Sequence, residues 1–184
     1  MLIYVDNVLF LGNNWTLLMK KKQQLMHKCE SWDLGKAKEY LRIRITRDCS
    51  KRILKLDQVT YTQKVIDHFD MQNCRPSHVP LPTGYNPNPS TEESNPQLQS
   101  CYQSVIRSLL YIMLGTQPDL AYSVIKMLQF STNPTEDHLK WALYVYCLLP
   151  DYHQRLTVCL TYKGMSKERF LAYSDTDWAG DLDT

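Results

Sequence analysis

Leu2-Ile3-Tyr4-Val5-Asp6-Asn7-Val8-Leu9-Phe10-Leu11 is an apolar run broken once, by the polar pair Asp6-Asn7. Two short apolar arms around a turn-forming pair predict a β-hairpin, and Asp6-Asn7 suits a type I′ turn that would present a carboxylate at its tip. Downstream, Asn13-Asn14 can cap a helix whose inward stripe is Trp15, Leu18, Leu25, Met26 and Cys29, with Lys20 to Lys22 facing water. That helix is expected to pack against the hairpin.

From Leu41 the period changes to two: Leu41, Ile43 and Ile45 share one face, Arg42 and Arg44 the other. A turn near Asp48 to Ser50 and a return through Ile53 to Leu56 complete a second hairpin. Thr60 and Gln63 match a capping box, and Tyr61, Val65 and Phe69 recur at helical spacing, so a short helix follows and ends by Met71. Six of the nine prolines lie between residues 72 and 100, which reads as a linker or wrapping strap. Three helices are expected after it, over Tyr102 to Leu114, Pro118 to Phe130, and Pro134 to Leu149 capped by Asn133. Alternation at Leu156, Val158, Leu160 and Tyr162, then a Lys163-Gly164 turn and Phe170 to Ser174, returns the chain to strands that deliver Asp175. The fold class is α+β in two unequal parts.

Composition narrows function. With 43% hydrophobic residues the chain can form a core, and its 21 basic and 19 acidic residues nearly cancel, so local charge must identify partners. The charge is concentrated: between Lys36 and Lys64 basic residues outnumber acidic ones nine to three. On the residues alone this reads first as the solvated face of an antiparallel sheet and only second as a surface for phosphates. None of the cysteines at 29, 49, 74, 101, 147 and 159 forms a Cys-x-x-Cys zinc clip, and the expected thiols are reduced. The apolar run Leu109 to Leu114 is too short for a membrane span, and the N-terminus lacks a signal peptide's pattern, so a cytoplasmic or nuclear location is expected. No histidine spacing suggests a triad or metal site, and the tyrosines read as core before base-stacking platforms.

Tyr4-Val5-Asp6-Asn7 is one residue from the Tyr-Xaa-Asp-Asp box of reverse transcriptases, and ordered motifs throughout the chain resemble the copia-type retrotransposon polyprotein. They include Asp33-Leu34-Gly35, Tyr40-Leu41-Arg42-Ile43-Arg44-Ile45, Leu56-Asp57-Gln58 with Tyr61, and Pro80-Leu81-Pro82. Tyr102-Gln103-Ser104-Val105-Ile106, Ser108-Leu109-Leu110-Tyr111, Pro118-Asp119-Leu120-Ala121 and Ser174-Asp175-Thr176-Asp177-Trp178-Ala179-Gly180 follow in order.

The resemblance implies a partial polymerase palm and start of thumb over 1–71, a proline-rich linker over 72–100, a helical connection over 101–152, and the first strands of an incomplete ribonuclease H-like sheet over 153–184. It implies RNA-directed DNA synthesis as the parent chemistry, with two Mg2+ (or Mn2+) ions held by clustered carboxylates. Asp6 would be a metal ligand of the polymerase and Asp175 the first metal-binding acid of the ribonuclease. Arg42, Arg44 and Arg47 would face the RNA/DNA template-primer. In the family the palm's other metal-binding aspartate lies upstream of the box, the remaining ribonuclease acids lie beyond residue 184, and Asn7 replaces the box's second aspartate with a neutral amide. The expectation is a chain inactive by itself, with no stably bound metal. Its alternative role is a non-catalytic remnant that binds nucleic acid or docks on an intact reverse transcriptase in trans. Arg42 and Arg107 stand where the family usually has glycine and Gln117 where it usually has arginine. Arg107 amid an apolar helix is expected to strain packing. Asp175 and Asp177 also fit a plain helix or turn cap.

Overall fold

The computed structural model describes residues 1–75, 81, 85, 87–89, 93, 95–147 and 159–164. Strand β1 (Leu2–Tyr4) returns as β2 (Asn7–Leu9), with Leu2 opposite Leu9 and Ile3 opposite Val8. The hairpin forms as expected, but its turn is Val5-Asp6, one residue earlier than the sequence reading. Pairing the apolar arms side chain to side chain sets the register and draws Asn7 into the strand, opposite Tyr4. Val5 takes φ 48° while Asp6 is not left-handed, so the turn is not type I′.

Helix α1 (Trp15–Lys28) starts where predicted, the Asn14 side chain accepting from the Leu17 amide at 3.0 Å. Its inward stripe is only partly realised. No residue of α1 is buried; Leu18 and Leu25 are half-buried, whereas Trp15, Met26 and Cys29 are exposed. Strand β1 is exposed throughout, and of the first ten residues only Leu9 and Phe10 are half-buried. Lys22, expected to face water, instead pairs with Asp33. Asp33 also accepts from the Gly35 amide at 2.6 Å, and Gly35 supplies the φ of 76° that this turn requires.

A second sheet has the order β3 (Glu39–Tyr40), β4 (Ile43–Asp48), β5 (Ile53–Asp57) and β6 (Leu160–Lys163), all antiparallel. Two corrections follow. Leu41 and Arg42 are not strand residues on opposite faces: they are the two-residue turn between β3 and β4, both with positive φ (50° and 58°). That is the type I′ pattern normally given to Asn-Gly, and the missing glycine hid it. The second correction concerns β6. It does not begin a separate sheet but pairs with β5, Leu56 opposite Leu160 and Ile53 opposite Lys163. Residues 165–184, with Asp175, lie outside the described part of the chain, as do 148–158.

Helix α2 (Val59–His68) begins one residue before the predicted capping box. Thr60 does not cap it; the Asp57 carboxylate accepts weakly from the Val59 amide at 3.4 Å, and Gln63 donates to Asp67. It ends in a Schellman motif, Met71 N–H to Ile66 carbonyl at 2.9 Å, with Asp70 left-handed at φ 55°. Helix α3 (Pro96–Gly115) reaches back into the stretch read as a linker or strap, much of which lies outside the described residues. Asn95 caps the Gln97 and Leu98 amides, and Pro96 sits at the first turn, where its missing N–H costs nothing. Within the strap Leu81 and Pro87 are buried, and Tyr85 donates to Asp137 and packs on Trp141.

A 3-10 turn (Pro118–Leu120), α4 (Ala121–Leu128) and α5 (Glu136–Tyr146) complete the helices. The cap of α5 is Thr135, not Asn133: its side chain and that of His138 satisfy each other's backbone amides. The core lies around α3, whose Tyr102, Val105, Leu109 and Ile112 are fully buried against Val124 and Met127 of α4, Val145 and Tyr146 of α5, and Ile66 of α2. The buried phenols are satisfied, Tyr102 donating to the Met127 carbonyl and Tyr146 to that of Val105. Arg107 does not strain this core. It is exposed and donates to Gln103 one turn away.

Candidate nucleic-acid and metal site

Asp6 sits at the tip of the first hairpin, between exposed Val5 and exposed Asn7. A two-metal centre needs several oxygen ligands converging on each ion, most of them anionic. Among the described residues no group of three His, Cys, Asp or Glu side chains could hold a metal ion, and Asp6 makes no ion pair. Asn7 offers one neutral oxygen and lies opposite Tyr4, so it adds no charge to the turn. The residues described here therefore do not fit a paired-Mg2+ site. Asp175, the other expected ligand, lies outside the described residues.

The three arginines expected to face nucleic acid are separated by the register. Arg44 lies opposite Asp57, and its Nε donates to Asp57 Oδ2 at 2.9 Å. Asp57 is only 5% exposed, so this carboxylate depends on Arg44 for its charge balance. Glu39 stands opposite Arg44 on its other side. Arg42, in the left-handed turn, lays its guanidinium over the Tyr61 ring at 5.8 Å from the centroid. Arg47 points to the opposite face from Arg44, is exposed, and has no ion pair among the described residues.

What sequence reasoning missed is how that turn is held. The Tyr111 hydroxyl donates to the Leu41 carbonyl, and the Tyr111 ring meets Tyr61 edge-on at 4.7 Å. Burial raises the Tyr111 phenol above its ordinary range; nearby Tyr61, Tyr4 and Glu39 act in the same direction and Arg42 opposes them. Tyr4 of the first hairpin thus belongs to the same neighbourhood. The spacing Ser108-Leu109-Leu110-Tyr111 marked a helix, but nothing local in it points to residue 41. Below this lies a buried amide, Gln58, whose Nε2 donates to the Tyr111 carbonyl at 3.1 Å and whose Oε1 accepts from Thr116 at 2.9 Å.

At the other end of the sheet, Asp48 accepts from Ser50 Oγ at 2.6 Å and from the Lys51 amide at 3.1 Å. The Ser50 bond is the chief reason its carboxyl sits below the usual range. Among the described residues no helix is long and apolar enough to cross a membrane.

Comparison with known proteins now bears on this geometry. The reverse transcriptase (RNA-dependent DNA polymerase) family profile matches residues 1–83. Over its whole length the chain is 33% identical to the retrovirus-related Pol polyprotein from transposon TNT 1-94 of Nicotiana tabacum, of which it spans 14%. It is 31% identical, again over its whole length, to the Pol polyprotein from transposon RE2 of Arabidopsis thaliana, spanning 12% of that protein. An uncharacterized mitochondrial protein of Arabidopsis thaliana is 30% identical over 98% of this chain, which covers 72% of it. No solved structure matches. The agreement runs from the hairpin of Asp6 through the helical core, and the chain belongs to the copia-type retrotransposon reverse transcriptase family.

Proposed function

We propose that this chain is a segment of a copia-type RNA-directed DNA polymerase that binds template-primer weakly and does not add nucleotides by itself. In this reading residues 1–71 are the end of the palm and the start of the thumb, and 101–152 are the helical connection. The start of the ribonuclease H-like portion is residues 153–184, within which Leu160–Lys163 adds a strand to the sheet of residues 39–57. The observation that carries the reading is the setting of Asp6 on an exposed hairpin, where among the described residues it belongs to no group of three His, Cys, Asp or Glu side chains of the kind that holds paired Mg2+ ions. Arg47 contacts phosphates, while Arg44 and Arg42, engaged with Asp57 and Tyr61, hold the shape of the sheet. The test is primer extension on an RNA template with Mg2+ or Mn2+, comparing the chain with its Asp6→Ala variant. No extension by either is expected; extension that depended on Asp6 would sink the proposal.

One observation favours a second role. Leu2, Ile3, Val5, Leu11, Trp15 and Leu34 are all at least half exposed, an apolar surface concentrated in the first thirty-four residues. It suits docking onto an intact reverse transcriptase in trans. Co-sedimentation with such an enzyme, weakened by Trp15→Ser, is the expected result.

A further inference from the structure

The segment that follows α2 meets the end of α5 along three successive contacts. The Phe69 and Tyr146 rings stack, their centroids 5.5 Å apart and their planes 25° apart. Two residues on, Met71 lines an apolar hollow together with Leu139 and Leu143 of α5 and with Cys147, the residue that caps that helix. Cys74, whose amide donates to the Met71 carbonyl at 3.3 Å, then brings its thiol to that of Cys147 as a hydrogen-bond partner. Cys147 is 7% exposed and Cys74 half-buried. The other cysteines are placed differently: Cys29, Cys49 and Cys101 are exposed, and Cys159 Sγ lies 3.4 Å from Thr161 Oγ1. Neither Cys74 nor Cys147 has a part in the nucleic-acid or metal chemistry considered above.

A disulfide requires two cysteines whose side chains converge, and thiols that already share a hydrogen bond meet that requirement. The remaining approach falls to Cys74, which lies just past the turn at Gln72-Asn73 rather than inside a helix. We infer that Cys74 and Cys147 form a reversible disulfide when the chain meets a small-molecule disulfide such as oxidised glutathione, locking the end of α2 to the end of α5. The Cys74 thiolate attacks one sulfur of the oxidant, whose S–S bond breaks; a mixed disulfide forms at Cys74, and the departing glutathione thiolate takes up a proton. Cys147, deprotonated in turn, attacks the Cys74 sulfur, forms the internal bond and expels the second glutathione. Two protein thiols are oxidised, and one disulfide is reduced to two thiols. Cys74 reacts first because Cys147 is covered. Burial holds the Cys147 thiol well above its ordinary range, so the second step is the slower one and quickens as pH rises. The bond closes a loop of roughly 70 residues that holds the strap and the core helices, and it stabilises chiefly by restricting the unfolded chain.

The full chain, fully reduced and then incubated with excess oxidised glutathione at about pH 8, is quenched with N-ethylmaleimide and digested without reduction for peptide mass spectrometry. A linked pair of peptides carrying Cys74 and Cys147 is expected as the main internal linkage. The urea midpoint should rise by about 1–2 M on oxidation and return on adding dithiothreitol. Cys147→Ser should stop at the mixed disulfide of Cys74 with glutathione and show no such rise. Cys74→Ser, at the half-buried position, is the second variant, and in it Cys147 should remain unmodified; a thermal melt of each verifies folding. Absence of the linked pair from the folded, oxidised chain would overturn the inference. So would an equal yield of that pair from chain oxidised while unfolded in urea, or glutathione on Cys147 in folded Cys74→Ser.

Discussion

The Tyr111 hydroxyl, on the longest helix, donates to the carbonyl of Leu41 in a turn seventy residues earlier, so the helical core fixes the end of the second sheet. Leu41 and Arg42 both hold left-handed backbone, which costs an L-residue on the order of 1–2 kcal/mol. Tyr111→Phe keeps the ring contact with Tyr61 and removes only the hydrogen bond. Urea denaturation should report a loss of about 1 kcal/mol, and amide exchange at Ile43 should quicken. An unchanged exchange rate would mean that the turn holds its conformation unaided.

Gly115 ends α3 against the buried amide of Gln58, and a Cβ there would run into that side chain. Gln58 cannot retreat without losing its bonds to the Tyr111 carbonyl and Thr116. Gly115→Ala is therefore expected to destabilise by about 1–3 kcal/mol despite alanine's better helix propensity. A urea midpoint equal to that of the original chain would show spare room at this contact.

Burial holds the His138 imidazole below its ordinary pKa of 6.5, although Asp137 and the Asn88 backbone act in the other direction. Its Nδ1 accepts from the Thr135 amide, which only the neutral ring can do. Because the unfolded chain binds this proton at higher pH than the folded one, the contribution is complete above 6.5. It is lost as pH falls from there toward the lowered folded value. The melting temperature should decline in that window, and His138→Gln should flatten the decline. Asp33 and Asp48, both shifted downward from 3.8, act only in the more acid range.

Burial pushes the Cys147 thiol up to about 12, and the neighbouring Cys74 thiol adds to the shift. Cys29, Cys49 and Cys101 are exposed. Alkylation with iodoacetamide at pH 8, followed by peptide mass spectrometry, should modify those three first and Cys147 last, because the thiolate is the nucleophile. Early labelling of Cys147 would mean that α5 opens at its C-terminal end.

Local chemistry made much of this fold legible. The apolar arms around Asp6, the Asn14 cap and the alternation from Ile43 to Leu56 each depend on residues close together in sequence, and each gave the right element. Misses came where a sequence gave an unconventional signal or none. The Leu41-Arg42 turn has no glycine or asparagine. The α5 capping box uses His138 where glutamate or glutamine is usual. Asn95 followed by Pro96 was a readable helix start that the surrounding prolines obscured. For the candidate site, Asp6 and the abundance of basic residues stood out in the sequence as candidates. Which cations carry a partner could not be read, since Arg44 differs from Arg47 only by strand register, and β6 joins the sheet through a pairing that no local pattern encodes.

That pairing has a consequence for biosynthesis. Until the ribosome has made Leu160–Lys163, the outer edge of β5 lacks its partner, and the row of amides and carbonyls from Ile53 to Leu56 is open to any passing strand. Nascent chains released early would carry an adhesive edge beside a finished helical core, so translational pausing before residue 160 should favour aggregation over a soluble shortened product.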